Sequence, residues 1–349
     1  MSILQLGLTN IHNIIANNLY LRLGIDFTKP IHFYSQLTNS CNSSCKMCDA
    51  WANKQGYKDL PISDWIRFVE ESQAFSKNIK HCFAGGEIFL KDGIFELLEF
   101  CSKSNIMFGI TTNGILLNEE NIKRLLALNP FNINISVDSL DGRIYEDIRG
   151  IAALEEVKSN INFLMKYKKD IKSDVVVTIK TIISRDNIDC LESIAKYVMD
   201  QNLNGVTFQP VYKKTKEADE MFRIDMNKLK SLVERLIEMN RKGYRILNSE
   251  KNMHQWINYF DANVVINNPC FVPLRSLYAV TNGNVSLCEA VESNFYNITR
   301  GGLKTAYESQ LTKITKKKLL HCDEQCIYKV RRTFKEYSKI FMHYVKNNA

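Results

Sequence analysis

The chain has 349 residues, 45% of them hydrophobic and 24% charged, with 46 Lys and Arg against 38 Asp and Glu for a net charge of +8. That is enough for one large domain or two ordinary ones with a real core, and it excludes a disordered chain. Six prolines and fifteen glycines exclude collagen-like and low-complexity classes, and ten cysteines are too sparse for a small disulfide scaffold.

The first 21 residues contain no Lys or Arg, so the cationic start of a signal peptide is missing. No apolar run reaches the ~18 residues of a membrane span. A cytoplasmic setting is expected, where thiols stay reduced and clustered cysteines mean metal or catalysis. The modest basic surplus names no partner by itself.

In chain order, residues 1–30 carry Ile3, Leu4, Leu6, Leu8, Ile11, Ile14, Ile15, Leu19 and Leu21 at loosely helical spacing. They predict a helical extension covering one end of the main domain. Its lack of cations argues against a membrane-surface helix. From residue 31 a rhythm begins. Strand-like runs at His32–Leu37, Ile79–Ala84, Ile106–Thr111, Phe131–Val137, Asp174–Ile182 and Gly205–Val211 alternate with other segments. Those segments are helical patterns near Ser63–Phe75, Ile94–Ser102, Glu119–Leu128, Leu154–Tyr167 and Asp189–Met199. Such βα units with right-handed crossovers predict a parallel sheet, open or part of a barrel, with its chemistry at the C-terminal strand ends. This core spans 31–212.

After Val211 the rhythm stops. Lys213–Glu217 reads as a charged link, and Met226–Met239 as a long amphipathic helix within a helical linker over 213–266. Residues 267–330 read as a second, smaller unit. It holds Cys270, a hairpin-like stretch around Asn282-Gly283, Cys288, Cys322 and Cys326. So small a unit has little core, and a metal centre would help to hold it. Residues 331–349 read as a basic helix.

The most informative stretch is Cys41-Asn42-Ser43-Ser44-Cys45-Lys46-Met47-Cys48, just after the first strand. Thiolates on one short loop can converge on one inorganic centre. A four-iron cube held by three of them keeps one iron free for a ligand. A zinc site completed by Asp49 is the alternative, although zinc loops usually show paired Cys-x-x-Cys or Cys/His spacing.

This spacing after the first strand of a βα series resembles the radical S-adenosylmethionine (radical SAM) superfamily, over roughly residues 31–211. Ala84-Gly85-Gly86-Glu87 closes the second strand and is similar to the family's GGE motif. Thr111-Thr112-Asn113-Gly114 closes the third strand and Ser136-Val137-Asp138 the fourth, with Arg149-Gly150 in the loop beyond. The resemblance implies a [4Fe–4S] cluster on Cys41, Cys45 and Cys48, with SAM chelating the open iron. It implies SAM contacts from Met47, Gly85, Gly86, Glu87, Asn113, Ser136, Asp138 and Arg149. Glu87 is expected at the SAM ammonium, Asn113, Ser136 and Asp138 at ribose or amino-acid groups, and Arg149 at a carboxylate. Reductive cleavage of SAM would yield a 5′-deoxyadenosyl radical. Met47 departs from the family, which usually has an aromatic residue there; a thioether can make a similar soft contact.

Beside such a core, Cys270, Cys288, Cys322 and Cys326 resemble the ligand set of an auxiliary [4Fe–4S] cluster of the SPASM/Twitch type. Four cysteines favour one cluster and the shorter Twitch version; zinc is the alternative. Cys101 reads as core. Cys82 and Cys190 read as small buried hydrophobes, with hydrogen-atom donation as the other option. The basic runs Lys213, Lys214 and Lys216, Lys316–Lys318, and Lys329, Arg331, Arg332 and Lys335 read as solvated surface. An acidic electron donor such as flavodoxin or ferredoxin is the alternative, and no nucleic-acid module stands out.

The expected fold is thus an α/β partial (β/α)6 TIM-type barrel followed by a small Twitch-like α+β iron–sulfur domain. The expected activity is hydrogen abstraction from a small, sugar- or cyclitol-like molecule, followed by oxidation through the auxiliary cluster. A peptide maturase that cross-links or epimerises is the alternative within the class. A non-catalytic zinc or iron–sulfur module is the alternative outside it.

Overall fold

The computed structural model describes residues 3–50, 59–213, 215–266, 269–291, 293–324 and 326. Six strands, β1 (His32–Gln36), β2 (Lys80–Ala84), β3 (Met107–Thr112), β4 (Asn132–Ser136), β5 (Val176–Ile183) and β6 (Gly205–Pro210), pair in parallel and in sequence order. An N-terminal helix α1 (Ile3–Leu23) precedes them. The crossovers carry α2 (Ile62–Phe75), α3 (Ile94–Lys103), α4 (Glu119–Ala127), α5 (Gly142–Arg149), α6 (Leu154–Asp170) and α7 (Leu191–Asp200). The predicted barrel core is therefore present, with element ends moved by at most three residues.

Each strand sorts its side chains by alternation. On β1 and β2, Phe33, His81 and Phe83 face the helices. The Phe33 ring lies 6.0 Å from Phe68 of α2 and 5.3 Å from His81. Helix α2 presents Trp65, Phe68, Val69, Ser72 and Phe75, spaced three and four apart, as one buried stripe. The alternate residues Tyr34, Lys80 and Cys82 turn to the concave inner face of the sheet, where Tyr34 stacks on Tyr278 at 5.0 Å. Ring and aliphatic side chains thus go to the helix layer, and mostly polar ones go to the lumen.

Beyond β6 come α8 (Lys216–Met221), α9 (Met226–Arg241) and α10 (Glu250–Phe260). The expected charged link at Lys213–Glu217 runs into α8, because Thr215 caps that helix by accepting the Ala218 N–H at 3.0 Å. Helix α5 was missed in the sequence; Asp141 caps it by accepting from the Arg143 and Ile144 N–H groups. Then follow α11 (Val272–Arg275), β7 (Ser276–Ala279), β8 (Asn284–Ser286), β9 (Asn294–Asn297), α12 (Leu303–Tyr307) and α13 (Gln310–Leu320).

The 267–330 segment does not build a sheet of its own. Strand β7 pairs in parallel with β1, and β8 and β9 add antiparallel, giving one nine-stranded sheet of order β6-β5-β4-β3-β2-β1-β7-β8-β9. Without β7 the first barrel strand would present a row of unpaired backbone groups; the hairpin covers that edge. Gly283 makes the turn with φ of 82°, a conformation that favours glycine.

Lys316, expected in a solvated run, is instead only 2% exposed and pairs with Asp26 at 3.1 Å. That pair ties α13 to the chain just after α1. Lys329 and the basic 331–349 segment lie outside the described residues. No helix among the described residues is long and apolar enough to cross a membrane.

Candidate active site

The three cysteines of the first cluster sit on the loop leaving β1 at its C-terminal end. Two neighbours fix that loop. From the β2 side, Gly86 donates its N–H to Thr38 O at 2.7 Å and Glu87 donates to Ser40 O at 2.8 Å. A Cβ on Gly86 would meet Ser40 O at 2.4 Å, so the glycine is needed for this close approach. From the other side, Ser44 N–H donates to Arg149 O at 3.2 Å and Lys46 N–H to Ile148 O at 3.0 Å. The cysteine loop thereby satisfies the carbonyls at the end of α5. Gly150 ends that helix with φ of 67°, and a Cβ there would strike Ser44 Oγ.

The side chains continue the pattern. Arg149 reaches under the loop, with Nη1 at 3.8 Å from Cys45 Sγ and Nη2 at 2.5 Å from Asp138. Asp138 is fully buried and also accepts the Ile182 N–H at 2.8 Å. Burial pushes the Cys45 thiol up, against the pull of Arg149, while Asp138, Cys48 and Cys41 push the same way as burial. Burial also raises the Asp138 carboxyl and opposes the Arg149 charge, but the two groups compensate each other, and Arg149 is held above its ordinary range. A guanidinium fixed beside a thiol suits sulfur ligands that carry negative charge when they bind metal.

Asn113 also faces the loop. Its Nδ2 donates to Asn42 Oδ1 at 2.7 Å and to Ser43 Oγ at 3.3 Å, and it lies 3.9 Å from Cys41 Sγ. Met47 packs against the core at the loop's end, half-buried. Ser136 ends β4, half-buried on the inner face.

Three of the expected ligand residues, Glu87, Asp138 and Arg149, are bonded within the chain. Glu87 is fully buried; its oxygens accept from Thr112 Oγ1 at 2.7 Å, Asn113 N–H at 2.8 Å and Phe89 N–H at 3.3 Å. Its carboxylate ties β2 to β3, because a buried carboxylate must be saturated with donors. Asp138 and Arg149, expected on different parts of a ligand, are bonded to each other. Sequence spacing shows which groups reach one face but not which of them pair.

The second cysteine set comes together from separate segments. Cys270 donates its N–H to Leu320 O at 2.9 Å, which brings the entrance of α11 to the end of α13. Burial holds the Cys270 thiol up to about 12, and Cys326, Cys288 and Cys322 are all close enough to add to that shift. Tyr212 Oη lies 3.8 Å from Cys326 Sγ. Among the described residues, no three Cys, His, Asp or Glu side chains draw in tightly enough to enclose a single metal ion.

The remaining cysteines divide. Cys101 is fully buried on α3 with its thiol held up to about 12, an inert core position. Cys190, just before α7, donates its thiol to Asn187 O at 3.2 Å. Cys82 lies on the inner face of β2. Two features were not visible in the sequence: the hydrogen bond from Thr215 Oγ1 to Lys46 O at 2.7 Å, and the position of Lys180 on the inner face of β5. A lone lysine inside the hydrophobic run of β5 was the available signal for the second.

A partial parallel barrel with a three-cysteine loop at its C-terminal strand ends defines the class. The Radical SAM superfamily model matches residues 35–198, just under half of the chain. A [4Fe–4S] cluster and S-adenosylmethionine are the cofactors that this match implies. The chain is 27% identical over 192 residues to "Uncharacterized protein MJ0907" of Methanocaldococcus jannaschii, a match covering 53% of this chain and 64% of that one. It is 28% identical over 176 residues to the mycofactocin maturase MftC of Mycolicibacterium smegmatis, covering 48% of this chain and 41% of the relative. These matches span about half the length of the curated relatives. Among solved structures, Streptococcus suis SuiB bound to S-adenosylmethionine superposes with a TM-score of 0.67 at 15% identity, over 86% of this chain and 73% of SuiB. SuiB has also been solved with its precursor peptide SuiA.

Proposed function

We propose that this chain is a radical SAM enzyme in which Cys41, Cys45 and Cys48 hold the SAM-binding [4Fe–4S] cluster and the barrel lumen receives the substrate. The observation that carries this reading is the three-cysteine loop, hydrogen-bonded on two sides, with Arg149 aimed at Cys45. When bound, the cluster and SAM supply a 5′-deoxyadenosyl radical that removes a hydrogen atom from the substrate.

The chain's own residues do the placing. Arg149, neutralised in turn by Asp138, balances thiolate charge beneath the loop. Gly85 and Gly86 let backbone pack against the approach to Cys41. Asn113 and Ser136 offer short polar groups to the cofactor, and Met47 offers a soft contact to its base. The layer of helices on the outer face keeps water from that side of the sheet.

Cys270, Cys288, Cys322 and Cys326 would hold an auxiliary [4Fe–4S] cluster of the Twitch type. A peptide substrate takes precedence over the sugar- or cyclitol-like one expected from the sequence, because MftC is named a maturase and SuiB binds a precursor peptide. An acidic protein of the flavodoxin or ferredoxin kind would supply the electron.

Anaerobic reconstitution followed by iron and sulfide counts tests the reading. It predicts about eight irons per chain, two four-iron cubes, and 5′-deoxyadenosine formed from SAM under a strong reductant. Two zinc ions and no SAM cleavage would overturn it in favour of a non-catalytic module.

A further inference from the structure

The lumen holds charged groups that the cofactor site does not use. On β5, Lys180 occupies the inner face, level with Ser136 of β4 and Thr207 of β6. On β2, Lys80 and Cys82 occupy the inner face two residues apart, level with His32 and Tyr34 of β1. The three side chains converge. The Lys180 charge lowers the proton affinity of Lys80, and Cys82 lies near both. The Lys80 ammonium sits over the Phe131 ring at 4.3 Å. The Lys180 ammonium makes no hydrogen bond or ion pair among the described residues, and the groups whose charge reaches it are Cys82 and Glu289. Its register on β5 places Lys180 on the chamber wall.

A lysine placed in a partly desolvated chamber, with Glu289 in electrostatic reach but no ion pair formed, recovers little of the hydration it loses. An incoming carboxylate restores that loss with a charge-assisted hydrogen bond. The stacked Tyr34 and Tyr278 rings stand on the same face and give the approaching chain an apolar wall. Glu289 enters from the second cysteine loop and leaves the chamber with two cations against one carboxylate.

We infer that Lys180, backed by Lys80, is the subsite for a substrate carboxylate, so that the enzyme selects a peptide with an acidic side chain at or beside the residue it modifies. This rests on the reading of the lumen as the substrate chamber, and it adds a substrate class to that reading. Lys180 would touch substrate and set specificity; it is not required for SAM cleavage.

The test is an acetylation footprint on the reconstituted full chain with SAM bound. The blocked peptide acetyl-Glu-Glu-Glu-amide is the probe and acetyl-Gln-Gln-Gln-amide the neutral control. Mass spectrometry reads Lys180 against the exposed lysines of the same molecule. The expected result is that the glutamate peptide slows acetylation of Lys180 by about tenfold, the span of one charge-assisted contact. The glutamine peptide should leave it unchanged, and the other lysines should not respond. Equal protection by both peptides, or none by either, overturns the inference.

Lys180→Met gives the second arm. It should keep SAM affinity and substrate-free formation of 5′-deoxyadenosine within about twofold while losing the preference for the glutamate peptide, and Lys180→Arg should restore that preference. If Lys180→Met weakens SAM binding as much as peptide binding, the lysine belongs to the cofactor and the inference fails. If the wild-type chain makes no 5′-deoxyadenosine at all, it is the proposed function that fails instead.

Discussion

The two cysteine sets are built in opposite ways. The first occupies eight consecutive residues, Cys41 to Cys48, on one loop whose backbone is bonded to the Gly86 turn on one side and to the end of α5 on the other. The second gathers Cys270, Cys288, Cys322 and Cys326 from the entrance of α11, the end of the β7–β8 hairpin and the chain after α13. A loop held by its own neighbours can be in place before metal arrives. A set drawn from distant segments needs the metal as much as the metal needs the set. On the proposed reading the first is a preformed site, and the second would staple the 267–330 segment against the barrel edge.

The largest expected effect follows directly. Replacing Cys41, Cys45 and Cys48 with Ala should remove about four irons, one cube, and abolish 5′-deoxyadenosine formation, while far-ultraviolet circular dichroism stays near wild type. If the fold collapsed as well, the contrast between a preformed loop and a metal-dependent staple would be broken.

Next in size is Arg149→Met. It leaves the fully buried Asp138 without its partner, which should cost about 3–5 kcal/mol in denaturant unfolding and weaken iron retention by the first loop. The double variant Asp138→Asn, Arg149→Met should recover much of the stability but not the iron. Full recovery of both would show that Arg149 serves the fold alone.

Cys288→Ala sharpens the comparison from the other side. It should also remove about four irons, spare SAM cleavage in the absence of substrate, and make the hairpin segment more susceptible to protease. A smaller loss is expected for Gly86→Ala. The added methyl has no room beside Ser40 O, and overpacking of this kind costs about 1–3 kcal/mol. Iron binding at the first loop should fall in parallel; stability loss with unchanged iron content would separate the glycine from the site.

The smallest effect at neutral pH concerns His81, on the helix side of β2. Both ring nitrogens are buried without a hydrogen-bond partner among the described residues, and burial holds its pKa down to about 3. The unfolded chain takes up a proton below about pH 6.5 that the folded chain refuses until about pH 3. Stability therefore falls as pH drops through that window, by about 1.4 kcal/mol per unit once well below the upper value. His81→Phe, between the rings of Phe33 and Phe83, should flatten the pH dependence of urea midpoints between pH 6 and 4, by about that slope.

The parts of this architecture that sequence could reveal are those with a local cause. Alternation in Phe131–Val137 and the stripe in Ser63–Phe75 place a strand and a helix without knowledge of neighbours. The three cysteines show because they share one loop. What stayed hidden depends on contacts between distant residues. Residues 276–279 of β7 are too few to announce a strand, and nothing in them names β1 as the partner. Glu87 and Asp138 read equally well as ligand groups and as internal ties until Thr112, Asn113 and Arg149 are seen to saturate them. Lys316 sits in a run of lysines that looks solvated, and only the position of Asp26 explains its burial.

The central claim is that the first loop leaves one iron of its cube free for SAM. The direct measurement is electron–nuclear double resonance on the reduced Cys288→Ala protein, with SAM labelled with 17O in the carboxylate and 15N in the amino group. The account predicts hyperfine coupling from both labels at the remaining cluster. Absence of both couplings, with the cluster intact and reduced, would show that iron to be closed by the protein and would contradict it.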